Sequence, residues 1–415
     1  MSNVLIVGGG AAGMLAAIGA GRAGARVTLL ERNEKLGKKL YITGKGRCNV
    51  TNACDADAFM KNVPHNPRFL YSALSTLSPQ DMMALLTEMG CPVMVERGNR
   101  VFPASEKASD VTRALEHELR RLNVRVELDT RVQELLVQNG QAVGVLCEGG
   151  RRFQADAVIV CTGGQSYQST GSTGDGWRWL AACGHEVNPP LATLSALESG
   201  EAWVKELQGL SLKNVRLTLT RGKKQLFSEI GEMLFTHFGL SGPLVLSASA
   251  YMAGLPLNSL TLTLDLKPGL SEMQLDARLL RDLDESGKRL VRTLLCGLYP
   301  SSLAEIMPML CGVNGDKMAC EVTKEERARL VSGGKALVLP VTGARSVSEA
   351  IVTRGGLSVK DVNPATMESR RVKGLYAAGE LLDVDALTGG FNLQIAFSTG
   401  MVAGLSAAGE SRMDG

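Results

Sequence analysis

The sequence predicts an α/β fold in which the two chain ends build one parallel-sheet nucleotide domain and the middle of the chain is inserted into it. The first thirty-one residues run strand, glycine turn, helix, strand, which is the opening of a βαβ unit. Two further apolar strands, Ala157–Cys161 and Gly374–Gly379, each run into glycine. Between Leu191 and Gly355 the pattern changes to alternating strands and then to helices, before the α/β pattern returns. The expected division is a discontinuous nucleotide domain of residues 1–190 and 356–415. An inserted β-rich domain takes 191–268 with 334–355, and a small helical subdomain takes 269–333.

Each element follows from its local pattern. Asn3–Val7 is a short apolar run ending in glycines, Ala11–Ala23 a helix of small residues, and Arg26–Glu31 a second strand. Polar loop and helical material follows to about Gly90. Ser109–Leu122 has the spacing of an amphipathic helix, set off by a turn at Pro103–Ser105. Val124–Leu128, Val132–Gln138 and Ala142–Glu148 read as strands, with Asn139-Gly140 as the hairpin turn between the last two. Ala157–Cys161 is continuously apolar, as a strand buried on both faces should be. The character changes near Pro189-Pro190. Leu191–Leu264 alternates apolar and polar residues, as in Val215–Thr220 and Leu260–Leu266, and predicts antiparallel β-structure. Ser271–Arg329 is helical, Lys335–Val341 returns to strand, and Gln394–Ala408 is a helix carrying Gly400 and Gly404. No internal repeat or low-complexity segment is present.

Composition narrows the function classes. A chain of 415 residues holds two or three domains with a sizeable core. The net charge of +3, from 45 basic and 42 acidic residues, does not suggest a nucleic-acid binder, so a small-molecule partner is expected. One stretch is locally basic: Arg22, Arg26, Arg32, Lys35, Lys38, Lys39, Lys45 and Arg47 face only Glu31 and Glu34, a positive field suited to a pyrophosphate. None of the nine cysteines forms a C-x-x-C pair, which argues against a disulfide framework, a zinc site and a redox dithiol. No metal site is expected. No apolar stretch reaches the roughly 18 residues of a membrane span, and the N-terminus lacks the basic start of a signal peptide. A cytoplasmic location away from membranes is the expectation.

The chemistry begins at Gly8-Gly9-Gly10-Ala11-Ala12-Gly13, a G-x-G-x-x-G between a strand and a helix. Gly8 permits the tight turn, Gly10 lets backbone approach a pyrophosphate, and Gly13 lets the helix lie close to the strand. The helix N-terminus offers free N–H groups and a positive dipole end. Glu31 ends the second strand, where its carboxylate accepts from ribose hydroxyls, with Arg32 beside it in the same site. This fingerprint alone does not choose between NAD and FAD. The strand ending in Thr162-Gly163-Gly164 points toward FAD, because the same turn in two-dinucleotide-domain flavoproteins brings backbone to the cofactor. So does the C-terminal segment. There a strand ends in Gly379-Glu380, an acidic loop leads to Gly389-Gly390, and a helix opens with Asn392, Leu393, Gln394 and Ile395. Its N-terminus would stabilise negative charge on a reduced flavin, with Asn392, Leu393 and Gln394 as donors.

Four segments carry a resemblance: Glu34–Asn52 (EKLGKKLYITGKGRCNVTN), Gly163–Gly176 (GGQSYQSTGSTGDG), Gly231–Pro243 (GEMLFTHFGLSGP) and Gly374–Gly404. Together they resemble the BaiN/RdsA family of FAD-dependent oxidoreductases, which includes aminoacetone-oxidase-like flavoproteins, nearly end to end. The resemblance implies a Rossmann-type FAD domain of glutathione-reductase type carrying an inserted β-domain and a small helical domain. It also implies FAD contacts from Lys38, Lys39, Gly44, Arg47 and the backbone around Val132.

Thr236 and His237 lie in the Gly231–Pro243 block, within the insertion, and are candidates for contact with flavin or substrate. Tyr167 is a further catalytic candidate. Asp175 either contacts the cofactor or caps the helix beginning near Gly176. A second G-x-G-x-x-G is absent. A transient NAD(P)H reductant must therefore bind without its own Rossmann domain, or electrons pass from the substrate to oxygen. The expected reaction is hydride transfer at flavin N5 with a small organic substrate: reduction of a conjugated carbonyl compound with NAD(P)H, or oxidation of an amine. FAD-dependent tRNA modification and non-catalytic flavin binding remain the alternatives.

Overall fold

The computed structural model describes residues 2–409; residues 410–415 of the expected nucleotide domain lie outside the described residues. The chain forms two compact units, one made of residues up to Thr193 and from Val347 on, the other of Leu194–Ser346.

The first unit is built on five parallel strands in the order Leu375–Ala377, Ala157–Val160, Asn3–Val7, Arg26–Leu30, Arg125–Glu127. Val7 lies between Leu30 and Val160, so the glycine turns that follow Asn3–Val7 and Ala157–Val160 emerge together at the carboxyl end of the sheet. Most of these strand residues are buried, as a parallel sheet requires. The first helix, Ala11–Arg22, and the last, Phe391–Ala407, pack backbone to backbone. A Cβ at Gly400 would lie 2.2 Å from the Ala12 carbonyl oxygen, and one at Gly404 2.1 Å from that of Ala16. Small residues at this crossing let the two chain ends share one core.

Smaller elements complete the unit. Val132–Gln138, Gln141–Cys147 and Arg152–Gln154 form an antiparallel meander. Asn139 (φ 51°) and Gly140 (φ 74°) both take the left-handed values that their hairpin turn demands. Thr51–Asn52, Arg100–Pro103 and Val93–Glu96 form a second small sheet. It was not expected, because its strands are too short to show a period. Finally Val187–Thr193 pairs with Val352–Leu357 in a two-stranded ribbon, with a register break between Asn188 and Leu191. Pro189 and Pro190 sit at that break, where a missing N–H removes no ladder bond. This ribbon carries the chain out toward Leu194 and receives it back after Ser346.

The second unit holds a seven-stranded antiparallel sheet centred on the long hairpin Ser211–Arg221 and Lys224–Thr236. The helices Glu272–Glu285, Ser301–Leu310 and Lys324–Lys335 do not bury a core of their own. Leu275, Leu279 and Leu303 belong to the same apolar cluster as Leu217 and Leu264 of the sheet. Ser271 and Thr323 start their helices with reciprocal capping boxes. The strand expected over Lys335–Val341 shrinks to Leu337–Val338, because Lys335 ends the preceding helix. Among the described residues no helix is long and apolar enough to cross a membrane.

Candidate cofactor site

At the opening turn, Gly8 has a φ of +106°, and a Cβ there would lie 2.5 Å from the Cys161 carbonyl oxygen. A Cβ at Gly13 would meet the Gly8 carbonyl oxygen at 1.8 Å. At Gly10 it would meet nothing within 4 Å, so this side of the turn faces open space. The first intrahelical bond runs from Met14 N to Gly10 O. The N–H groups of Ala11, Ala12 and Gly13 therefore precede the helical ladder, and the helix has neither a side-chain cap nor an acid in its first turn.

Glu31 is buried and braces this turn. Its Oε2 accepts from Gly9 N at 2.7 Å, and its Oε1 accepts from Asn33 N at 2.8 Å and Asn33 Nδ2 at 2.6 Å. A lone pair of Oε2 is left for a ribose hydroxyl. Thr130 N donates to Glu31 O at 2.9 Å, which brings the start of Val132–Gln138 beside the end of the second strand. Arg32 Nη1 donates to Thr173 Oγ1 at 2.8 Å and to Asp175 Oδ2 at 3.0 Å. Burial opposes ionisation of Asp175, but Thr173, Arg178 and Arg32 outweigh it and hold the carboxyl below its usual range. Asp175 does not cap its helix: it is the first helical residue, and Gly174 stands at the cap.

A polar cluster joins three separate segments. Lys39 Nζ donates to Glu380 Oε2 at 2.6 Å and to Ser166 Oγ at 2.7 Å, while Glu380 Oε1 accepts from Ser166 Oγ at 2.9 Å. Gly164 lies against Thr353 and Glu380, so the Thr162–Gly164 turn and the Gly379–Glu380 turn meet. Gly379 N donates to Thr399 Oγ1 at 3.0 Å, and a Cβ at Gly379 would touch that of Ala12 at 2.7 Å. Tyr167 has a φ of +52°, uncommon for a bulky residue, and its ring lies 5.8 Å from Lys39 Nζ. Lys38 instead pairs with Glu34 at 3.1 Å.

The last helix also starts uncapped. Gln394 N bonds to Gly390 O, so the N–H groups of Phe391, Asn392 and Leu393 precede the ladder, with no acid beside them. The side chains of two of the expected donors have partners of their own. Asn392 Oδ1 accepts from Ala386 N, and its Nδ2 donates to Ala386 O and Leu387 O. Gln394 is fully buried and donates to Leu77 O and Ser398 Oγ. Ile395 is a core residue. The backbone N–H groups are therefore what this helix presents.

Gly390 packs on Thr51, whose buried Oγ1 has no partner; Asn49 Oδ1 nearby has none either. They close a loop in which Gly44, Lys45 and Cys48 all have left-handed φ values (56°, 58° and 61°). Arg47 stacks over Phe102 at 4.1 Å and pairs with Glu96 and, at 2.7 Å, Glu106. A guanidinium so held shapes the loop, and its contact with a cofactor stays an implication of the resemblance.

Thr236 and His237 lie in the second unit. Thr236 Oγ1 accepts from Gly239 N at 3.1 Å, which fixes the turn and uses the hydroxyl oxygen. His237 is exposed on that turn, 4.9 Å from the Phe238 ring. Arg345 stacks over Phe238 at 4.9 Å and pairs with Glu198 at 2.9 Å.

A dinucleotide flavin fits the first unit. The open side of Gly10 and the N–H groups at two helix starts suit its phosphates, and the orphaned oxygens of Thr51 and Asn49 are buried acceptors still without a partner. Residues 2–406 match the family described as HI0933-like protein Rossmann domain. The chain belongs to the HI0933-like family. It is 32% identical over 414 residues to the 3-dehydro-bile acid delta(4,6)-reductase of Clostridium scindens, covering 98% of this chain and 99% of that protein. It is 31% identical to the ribosomal RNA dihydrouridine synthase of Haemophilus influenzae, covering 98% of each. The 3-ketosteroid delta1-dehydrogenase structure from Sterolibacterium denitrificans superposes with a TM-score of 0.52 at 14% identity, over 98% of this chain and 100% of that one. That last likeness is one of fold. This HI0933-like protein is a flavin-type oxidoreductase with a Rossmann-type FAD-binding domain.

Ser166, Thr353, Arg354, Asp383, Asp385, His65 and Asn188 also join the polar network of the first unit, and no local spacing in the sequence marks them. Asp383 and Asp385 stood in plain view within the acidic loop, and their partners lie far away in sequence.

Proposed function

We propose that this HI0933-like protein is an FAD-dependent reductase of carbon–carbon double bonds conjugated to a carbonyl group, acting on a small organic substrate with NAD(P)H as the electron source. The observation that carries the reading is the uncapped, acid-free start of the last helix, whose positive end favours the negative charge of a reduced flavin. The names of two relatives support the bond type: a delta(4,6)-reductase of a 3-dehydro bile acid and a dihydrouridine synthase both saturate a C=C bond next to a carbonyl. A flavin held here and reduced by NAD(P)H would supply the hydride for one alkene carbon.

The protein's own residues do the rest. Ala11–Gly13 and Glu31 hold the dinucleotide, while Lys39 and Glu380 order the turn that follows the Thr162–Gly164 strand end. A proton must reach the other alkene carbon. Tyr167, held at a φ of +52° beside the Lys39 ammonium, is a donor of suitable type in the first unit.

A second reading places the same bond in a uracil ring of RNA. The relative named for ribosomal RNA spans 98% of this chain, and the hairpin tip Arg221, Lys223 and Lys224 is exposed and basic. Anaerobic mixing with NADH and NADPH, followed by flavin absorbance, tests the reductive half-reaction. Reoxidation of the bleached flavin is then tried with enones and a uridine-rich RNA, and an amine panel is mixed with the oxidised flavin as the alternative reductant. Bleaching by NAD(P)H with enone-driven return of the yellow colour is the expected result. Return with RNA alone selects the second reading, and bleaching by amines alone overturns both.

A further inference from the structure

The acidic loop between Glu380 and Gly389 grips the two-stranded ribbon from which the inserted unit departs. Three consecutive residues of the returning strand are each held by a different carboxylate. Glu380 Oε1 accepts from Thr353 N at 3.0 Å. Asp385 takes the Arg354 guanidinium in two bonds, of 2.8 and 3.2 Å. Asp383 Oδ1 accepts from Gly355 N at 3.0 Å, and its Oδ2 accepts from Asn188 Nδ2 on the outgoing strand at 2.7 Å. Asp385 is fully buried, and the Arg354 side chain is only 13% exposed. Burying charge this deeply is costly unless the pairing is nearly complete. The ribbon already has its own ladder, so so dense a set of carboxylate contacts exceeds what pairing two strands demands.

The same loop is pinned at its other contacts by residues of the cofactor site. Glu380 Oε2 accepts from Lys39. Asn392, at the start of the last helix, clamps Ala386 and Leu387. Asn52 Nδ2 donates to Gly389 O at 3.1 Å. His65 Nε2 lies 3.0 Å from Asp383 Oδ2, and Asn66 Nδ2 donates to Asp383 O at 2.7 Å. A short loop fixed at both ends by the cofactor cradle and in its middle by the ribbon has little freedom to order one without the other.

We propose that this loop couples flavin occupancy to the order of the ribbon at the root of the insertion, with Asp383, Asp385 and Arg354 as positioning residues. The inference rests on the flavin reading of the first unit. FAD bound at the cradle restricts Glu380 and the Gly389–Gly390 turn, and thereby the carboxylates that hold Thr353, Arg354 and Gly355. The coupling is reciprocal, so loosening the grip weakens FAD binding in proportion.

Hydrogen–deuterium exchange on the full chain, with FAD bound and after its removal, tests the coupling. Flavin absorbance is recorded on the same samples. Removing FAD is expected to speed exchange about tenfold in peptides covering 187–193 and 352–357, while peptides covering 211–236 stay unchanged. In Asp385→Asn, exchange of the ribbon is expected to be fast with FAD present and to respond little to its removal. Asn188→Ala, which leaves both buried charges paired, keeps the test decisive if Asp385→Asn does not fold; it is expected to show a reduced response to FAD. Ribbon exchange indifferent to FAD in a yellow wild-type protein overturns the coupling. So does a variant that responds as strongly as wild type. A protein that takes up no FAD overturns the flavin reading and the coupling with it, and absorbance separates that outcome from the others.

Discussion

Replacing Gly400 by alanine sets two effects of opposite sign against each other. In a helix interior alanine is favoured over glycine by about 1 kcal/mol, so propensity alone predicts a more stable protein. The structure predicts the reverse. The added Cβ would lie 2.2 Å from the Ala12 carbonyl oxygen and 3.0 Å from Ala12 C and Cα, all of them backbone. Relief requires the first and last helices to separate by about 1 Å, which forfeits a quarter to a half of the contact well at each touching pair. Overpacking of this kind costs about 1–3 kcal/mol, and an obstacle of rigid backbone argues for the upper end. After the propensity gain, a net loss of about 2 kcal/mol remains, or a fall in Tm of about 4–8 °C for a unit of this size. Because Ala12 belongs to the uncapped helix start, FAD affinity is expected to fall as well, by about tenfold. Thermal unfolding by circular dichroism, with and without FAD, reads the first effect, and quenching of FAD fluorescence reads the second. Gly21→Ala is the control, since its added methyl meets only the Leu122 side chain at 3.2 Å. A Gly400→Ala protein that melts at or above wild type would refute the backbone-to-backbone packing of the two chain ends.

Gly10→Val separates binding from folding: its Cβ enters open space, so the unfolding free energy without FAD is expected to stay within about 1 kcal/mol of wild type while the purified protein loses its yellow colour. Acid titration should expose Glu118, whose carboxyl is held down to about 2 by Arg121 and Arg22 against its burial. Its folded pKa is depressed, so its stabilisation is full above the unfolded value and is lost as pH falls from about 4.5 toward 2; Glu118→Gln should flatten the unfolding curve across that window. Tyr167→Phe, compared with wild type under steady state and in single turnover, tests the proton donor: its loss should lower turnover by about 10²–10⁴ while flavin reduction by NAD(P)H keeps its rate. A Tyr167→Phe protein with wild-type turnover would remove this residue from the reaction.

Some of this structure is written locally in the chain. The Gly8–Gly13 turn and the Asn139-Gly140 hairpin each depend on backbone geometry that a few neighbouring residues dictate. They were legible for that reason. The small sheet holding Val93–Glu96 was not, because four residues show no period and the strand on the far side of Arg100–Pro103, Thr51–Asn52, is two residues long. The turn at Gly98 and Asn99, both with positive φ, was the available signal. Side-chain partners were harder still. Asn392 and Gln394 stand where donors to a flavin were expected, yet tertiary packing gives them Ala386 and Leu77 as partners. A helix start already supplies unpaired N–H groups, so the residue types there are free to serve the neighbouring loop.

The acids of that loop make the same point in reverse. Glu380, Asp383 and Asp385 fall within six residues, a density that a solvated loop would explain. Burial excludes that explanation for Asp385, which is fully covered and paired with Arg354 thirty-one residues earlier in the chain. No spacing rule links those two positions, since the contact exists only because the returning ribbon strand runs beside the loop. The carboxylates nearest the cofactor cradle therefore have two sets of partners: Glu380 faces Lys39 and Ser166 on one side and Thr353 on the other, while Asp383 and Asp385 face the ribbon. Reading the loop only as a cofactor-binding segment accounts for Glu380. The remaining two acids need the ribbon to explain them, which is why substitutions at Asp385 and Asn188 discriminate where substitutions at Glu380 cannot.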